Sequence, residues 1–425
     1  MLTLRQAPPG RPAPHRFGWP SPAAIPRLWL TLGFAGSAAF AIALAMVTVW
    51  QAHRLWGIFA GISYLLAAMF VLVWKSHGRD AALVIGLAGA LVTPLWLMAG
   101  HGLQQPEVEV IDKSAAMLLH RGTPYPGPAM LATTHNPNVF DPYLPALTAF
   151  GLPRVLLGFS AATDPRIWFA VGFVVVFAAA LALGGARDVV RWTALVTASP
   201  FIAFSLAVGG TDVPVLACLC LGFALLWRRP RPMLAGLALG AAAAMKATAW
   251  PALAVAVVLL LARDGRRAAV SMSAAALAVV AAVVGPVAAA AGPRSLVQNT
   301  IAFPLGLTHV KSDAVSPLPG RLLAETGQTG HLIAVALLVL AGLAVTASLV
   351  FRPPRTVPAA IWRLIIALTA MFVLAPATRF GYFVYPVGLL AWLEISRMRW
   401  GPETEEPPGS GTARSANSDR QEAYQ

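Results

Sequence analysis

The amino-acid sequence predicts an all-α polytopic membrane protein of about twelve transmembrane helices, with short surface helices in its outer loops. Three observations carry this. Hydrophobic residues make up 58% of the 425 residues and charged residues only 11%, far outside the range of soluble domains. Apolar stretches near the length a bilayer requires, about 20 residues, recur between Trp29 and Met398. The polar joints between them alternate in charge. One set is basic, at 75–79, 187–191, 228–231, 263–267, 352–355 and 397–399. The other set is long, acid-containing or carries a single Arg, at 51–54, 101–166, 209–212, 293–328 and 378–379. Lys and Arg in short loops are retained in the cytosol, so the basic joints define the inner face. The outer face then collects Glu107, Glu109, Asp112, Asp141, Asp164, Asp212, Asp313 and Glu325.

Residues 1–28 are Pro-rich and basic, with no clear cleavage site, and read as a disordered cytosolic arm before an uncleaved first span. The membrane domain covers 29–400. Its spans are expected near 29–50, 55–74, 81–99, 167–184, 191–208, 212–228, 232–247, 249–262, 268–292, 331–351, 357–377 and 380–398. The members of the 232–262 pair are short, and form either two spans or one broken element. Residues 401–425 are polar and read as a disordered cytosolic tail. Both termini are expected in the cytosol and the whole in a plasma (inner) membrane.

The net charge of +14 does not point to nucleic acid. Roughly twenty of the 31 basic residues fall in cytosolic segments, where they set topology beside anionic lipid. Cys218 and Cys220 sit two apart in one apolar helix and face different directions, which argues against a disulfide framework or metal site as default. The Ala- and Arg-rich composition suits a high-GC bacterial genome.

The outer segment 100–166 is the largest non-spanning region. Val110, Ser114, Met117 and Leu118 have helical spacing, and the Gly and Pro residues of 122–127 end that helix, which is expected to lie on the membrane surface. A second shallow segment is expected at 145–158, and 135–143 between them is polar, turn-rich and aromatic. The second outer loop, 293–330, holds too many apolar and aromatic residues for disorder.

Several outer residues carry two readings. Glu107, Glu109 and Asp112 form the densest acid cluster; a partly desolvated carboxylate there is a candidate general base. Against that, Glu109 and Lys113 are four apart, the spacing of a surface ion pair. Asp212 begins a span and reads first as a helix cap. Lys246, flanked by apolar helix, must snorkel or meet an anion such as phosphate. Arg379, between 375–378 and an aromatic run, is a phosphate fork or an interfacial anchor. No phosphate-binding Gly-rich loop and no zinc-type spacing is visible.

At this point the chain resembles polyprenol-phosphate-sugar-dependent glycosyltransferases of the GT-C superfold, glycosyltransferase family 87 in particular. The segment 114–119 (Ser-Ala-Ala-Met-Leu-Leu) followed by Gly122-Thr-Pro-Tyr125 is similar to the family's small-residue helix and Gly-x-x-Tyr. Further matches are Gly210-Thr-Asp-Val-Pro214, the Arg-rich 228–231, Ala235-Gly-Leu-Ala-Leu-Gly240, Lys246, and the late segment Arg379-Phe-Gly-Tyr382 with Tyr385-Pro386. The family's acid, usually Asp, aligns at or near Glu107, and two spans precede the acid-loop span where the family normally has one.

The resemblance implies a GT-C-like architecture and an inverting transfer. A sugar, mannose- or arabinose-like, would move from a polyprenyl-phosphate donor to a cell-envelope glycolipid or glycan. Glu107, Glu109 or Asp112 would be the base. Lys246 and Arg379 would bind the donor phosphate, and Tyr125, Asp141, Tyr143, Asp212, His309 and Tyr382 the substrates. No cofactor is implied, and metal dependence is left open. The rival readings are a secondary transporter or lipid-linked-substrate flippase of about twelve spans, and a scaffold. Few acids lie within the spans, which disfavours transport.

Overall fold

A computed structural model describes residues 25–74 and 77–398. The terminal segments 1–24 and 399–425, which hold most of the expected arm and tail, lie outside the described residues, as do Lys75 and Ser76. Every segment expected to span is helical. The helices are α1 (Arg27–Val47), α2 (Gln51–Val73), α3 (Gly78–Gly100), α4 (Pro106–Arg121), α5 (Pro165–Gly184), α6 (Val189–Thr197), α7 (Pro200–Val208), α8 (Val213–Leu225), α9 (Pro232–Met245), α10 (Trp250–Arg263), α11 (Arg266–Ala291), α12 (Gln328–Phe351), α13 (Val357–Leu374) and α14 (Val384–Arg397). Shorter turns fill the outer loops. Among the described residues the only extended pairing is an isolated bridge between Val315 and Thr378.

Among the described residues, seven helices are long and apolar enough to cross a membrane: α1, α2, α3, α5, α11, α12 and α13. The α6–α7 pair adds an eighth if it counts as one span, bent by 65°. Pro200 causes the bend. It lacks an N–H, and it forces Ser199 into an extended conformation (φ −63°, ψ 145°). The remaining four, α8, α9, α10 and α14, have only 13 or 14 residues. At 1.5 Å per residue each covers about 20 Å, against about 30 Å of hydrocarbon. The count of helices with spanning length is therefore seven or eight, below the twelve expected. The shortening has a local cause: each of these four ends or begins at a turn that carries a polar side chain of the site below.

Small residues set how closely the helices approach, as expected where lipid supplies no hydrophobic drive between them. A Cβ on Gly57 of α2 would meet the Ala41 carbonyl of α1 at 2.5 Å, and one on Gly240 of α9 would meet Ala276 of α11 at 2.8 Å. Two large buried polar side chains of this interior are paired. Trp56 Nε1 donates to the Ala90 carbonyl at 2.8 Å, and the Tyr64 hydroxyl to the Ala198 carbonyl at 2.6 Å.

The long loops 101–166 and 293–328 are folded onto the bundle. Helix α4 starts earlier than its spacing suggested, so Glu107 lies in its first turn. Gly122, at φ 71°, ends it in a left-handed cap. Its apolar face (Val108, Val110, Ile111, Ala115) is buried against protein. The shallow segment at Pro145–Leu157 is helical. The two outer loops meet in a small core of Leu131, Phe140, Phe303 and Val310, with Phe140 and Phe303 stacked at 4.4 Å.

Candidate active site

The polar residues gather where the short helices stop. Pro106 at the first position of α4 needs no hydrogen bond there, and Glu107 behind it is favoured by the unpaired N–H groups of the helix start. Glu107 pairs with Arg379. Arg379 is extended and leads into the tight turn Phe380–Phe383 ahead of α14. The second Glu107 oxygen, Oε2, is buried and has no hydrogen-bond partner.

Lys246 ends α9 in an extended conformation (φ −151°, ψ 142°), which turns its side chain inward. Its Nζ donates to Asp212 Oδ1 at 2.5 Å and to Thr211 Oγ1 at 3.0 Å. The same nitrogen lies 5.1 Å from the Tyr143 ring and 5.7 Å from the Tyr382 ring, in cation–π range. Two expectations are corrected here. Lys246 does not snorkel: it is 8% exposed and meets an anion of the protein itself. Asp212 precedes α8 but makes no side-chain cap. A buried ammonium without a counter-charge costs far more than an uncapped helix turn, so the carboxylate goes to Lys246.

The two ion pairs belong to one cluster, joined by tyrosines. Tyr143 hydrogen-bonds Thr211 and feels the charges of Glu107 and Arg379; burial pushes its phenol well above its ordinary pKa. Tyr382 lies within the fields of Asp212, Arg379 and Glu107. The Tyr385 hydroxyl bonds Thr248 at 2.9 Å and also Asp212. The structure thus brings together Glu107, Tyr143, Asp212, Lys246, Arg379 and Tyr382. Chemically this is a carboxylate with a spare lone pair beside two cations and neutral phenol donors.

The other expected residues sit elsewhere or support this group. Glu109 pairs with Lys113 at 2.5 Å, both about half exposed, the i,i+4 surface pair that its spacing allowed. Asp112 accepts from Arg154 at 2.8 Å. Burial pushes the Asp112 carboxyl up to about 6 although Arg154 pulls the other way. Asp141 is fully engaged: it accepts from the Ser114 hydroxyl at 2.6 Å and from the Tyr143 N–H at 2.9 Å. Burial pushes its carboxyl up to about 7 against those bonds. The Tyr125 hydroxyl donates to the Tyr143 carbonyl at 2.8 Å. Asp141 and Tyr125 therefore hold Tyr143 in place. His309 Nε2 donates to the Thr134 carbonyl at 2.8 Å, and the ring lies against His135 on an exposed part of the loops, with no contact to the cluster. Among the described residues no three His, Cys, Asp or Glu side chains group as a metal ion requires.

Sequence reasoning missed a buried charge network behind the site. Asp164 caps α5, accepting from the Arg166 N–H, and both its oxygens accept from the Arg166 guanidinium at 2.9 Å. Arg166 also donates to the carbonyls of Leu103 and Ala207 at 2.8 and 2.9 Å. Arg154 links Asp164, at 2.6 Å, to Asp112 on α4. The Gln105 N–H donates to the Val208 carbonyl at 2.9 Å. These bonds brace the start of α4 against the 209–212 turn, the two places that supply the acids. Burial raises the Asp164 carboxyl, but the bonds and charge of Arg166 outweigh it and hold the group below the usual carboxylate value. The available signal was Asp164-Pro-Arg166 at a helix start, an N-cap followed by Pro.

No curated protein and no solved structure matches the chain. The family model for glycosyltransferase family 87 matches residues 142–376, a stretch holding Tyr143, Asp212 and Lys246; Glu107 and the 114–125 segment lie well before it and Arg379 just after it. With more than half of its residues inside that match, and with seven helices fit to cross a bilayer, the chain belongs to glycosyltransferase family 87 and is a membrane glycosyltransferase.

Proposed function

We propose that the chain moves a mannose- or arabinose-like sugar from a polyprenyl-phosphate donor to a hydroxyl of a cell-envelope glycolipid or glycan, on the outer face of a plasma membrane. Its cytosolic arm and tail flank a membrane domain in which the short helices cross as parts of broken spans. The supporting observation is the unpartnered Oε2 of Glu107 beside Arg379. In the reaction the acceptor oxygen attacks the anomeric carbon, and its proton passes to Glu107. The bond from that carbon to the phosphate oxygen breaks. Polyprenyl phosphate leaves with the electron pair and the anomeric centre inverts. Arg379 presents a planar fork to the phosphate and Lys246 its one N–H not bonded to Asp212 or Thr211. Both stabilise the charge that grows on the leaving group.

Arg379 cannot serve the phosphate and Glu107 equally at once. Donor binding draws the guanidinium toward the phosphate and leaves the carboxylate free to accept a proton, which couples donor arrival to base activation. The test is transfer by purified protein in nanodiscs with a panel of radiolabelled polyprenyl-phosphate sugars. Transfer from one of them that is lost in Glu107→Gln and Arg379→Ala supports the reading. Movement of the lipid-linked sugar across the bilayer without transfer favours a flippase instead.

A further inference from the structure

Arg379 is fixed by a segment of chain far from it in sequence. Residues 314–316 of the second outer loop run alongside 378–380, bridged in parallel at Val315 and Thr378. The Thr378 N–H donates to the Ala314 carbonyl, and the Ser316 N–H to the Thr378 carbonyl, each at 3.0 Å. The Phe380 N–H donates to Ser316 Oγ, also at 3.0 Å. Arg379 is the single residue between these anchors, and Ser316 supplies a bond on each side of it. Its extended backbone (φ −131°, ψ 142°) is what the bridge requires.

The bridge is tied down in turn. Thr378 is buried, and its hydroxyl donates to the Phe372 carbonyl near the end of α13 at 2.7 Å. The loop that carries Ser316 is held to the first outer loop by the Phe140–Phe303 stack and by the Asn299 side chain, which accepts from the Asp141 N–H at 2.9 Å. Asp313, just before the bridge, places its charge within reach of Arg379. A long guanidinium side chain loses aim unless its backbone is held, because it has several rotatable bonds.

We infer that Ser316 is a positioning residue for the donor phosphate: by bonding the backbone on both sides of Arg379, it aims the guanidinium. This rests on the reading that Arg379 holds that phosphate. Ser316 touches no reacting atom. Its hydroxyl is the necessary part, since alanine keeps the backbone bond to Thr378 but leaves the Phe380 N–H without its acceptor.

The experiment compares wild type, Ser316→Ala, Ser316→Thr, Arg379→Ala and the Ser316→Ala/Arg379→Ala double variant in nanodiscs. Four quantities are read: the Kd for polyprenyl phosphate, the donor KM, kcat and Tm. Ser316→Ala is expected to raise Kd and KM about fivefold, as loss of one hydrogen bond predicts, and to lower kcat as well, because a misaimed guanidinium also stabilises the leaving group's charge less, while Tm stays near wild type. Ser316→Thr, which keeps the hydroxyl, restores both constants. In the Arg379→Ala background Ser316→Ala adds nothing, because the group it positions is gone. Unchanged Kd and KM in Ser316→Ala overturn the inference. So does an equal loss in the Arg379→Ala background, which puts the effect on another route. A fall in Tm matching the loss in binding, not rescued by threonine, marks a purely structural role and overturns it too. Normal Kd in Arg379→Ala overturns the reading of the site itself, and is seen before Ser316 is considered.

Discussion

Arg379 and Glu107, 272 residues apart in the chain, form an ion pair that joins the last outer turn to the first turn of α4. In the proposed reaction these partners serve different molecules, so the pair must exchange. Replacing Glu107 by Gln removes both the base and the competitor for Arg379. Glu107→Gln is expected to slow transfer by about 10²–10⁴-fold, the usual contribution of a general base. The same variant should bind polyprenyl phosphate more tightly than wild type. Glu109→Gln and Asp112→Asn should keep substantial activity: Glu109 is a half-exposed partner of Lys113, and Asp112, although its Oδ1 is also buried without a partner, faces Arg154 and Asp164 rather than Arg379 and Lys246. Rates and a binding isotherm for the three variants decide it. Weaker phosphate binding by Glu107→Gln would count against the exchange, and full turnover against Glu107 as base.

Lys246 and Asp212 pair with only about a tenth of each side chain exposed. Breaking such a pair from one side strands a buried charge, at a cost of about 3–5 kcal/mol. Lys246→Met should therefore lower Tm strongly. Adding Asp212→Asn should recover most of that stability without recovering transfer, because the cation facing the donor phosphate is still missing. Thermal melts and a transfer assay on the single and double variants separate the two effects. Recovery of transfer along with stability would make the pair structural only.

Topology offers an independent check, made in a Cys218→Ala/Cys220→Ala background. Single cysteines at His135 and Gln328, exposed on the outer loops, should react with a membrane-impermeant thiol reagent in intact cells. A cysteine at the exposed Asp264, in the basic joint between α10 and α11, should react only after the cells are opened. The opposite labelling pattern would invert the assignment of faces and remove the site from the outer surface.

Much of this was legible in the sequence because it rests on local patterns. Apolar runs located the helices expected to span, and Gly122 marked the end of α4. Glu107, Lys246 and Arg379 stood out as charges at helix ends, and all three reached the cluster. What could not be read was who partners whom. The pairing of Asp212 with Lys246, and of Glu107 with Arg379, depends on which helix ends meet, and no local spacing encodes that. Helix lengths misled for a related reason: hydropathy runs through the 245–250 and 378–383 turns, where the backbone leaves the helix to place Lys246 and Arg379. The brace around Arg166 was hidden because its acceptors are backbone carbonyls from distant segments.

Acid dependence should reveal the buried carboxyls of the outer loops. Asp141 is raised by burial from the ordinary 3.8 to about 7, and Asp112 to about 6. A group with a raised folded-state pKa binds more protons in the folded chain than in the unfolded one. Stability therefore falls as pH rises from about 4 to about 7, and is flat with respect to Asp141 above that. Asp164 acts in the opposite sense. Its lowered value contributes stability that is present above the unfolded pKa and lost as pH falls below about 4. Asp141→Asn keeps an acceptor for one of its two bonds and removes the titration. Its Tm should change less than that of wild type between pH 5 and pH 7. An equal slope in the variant would show that Asp141 is not the group protonated in that window, and that the Ser114–Asp141–Tyr143 link is held at full strength across it.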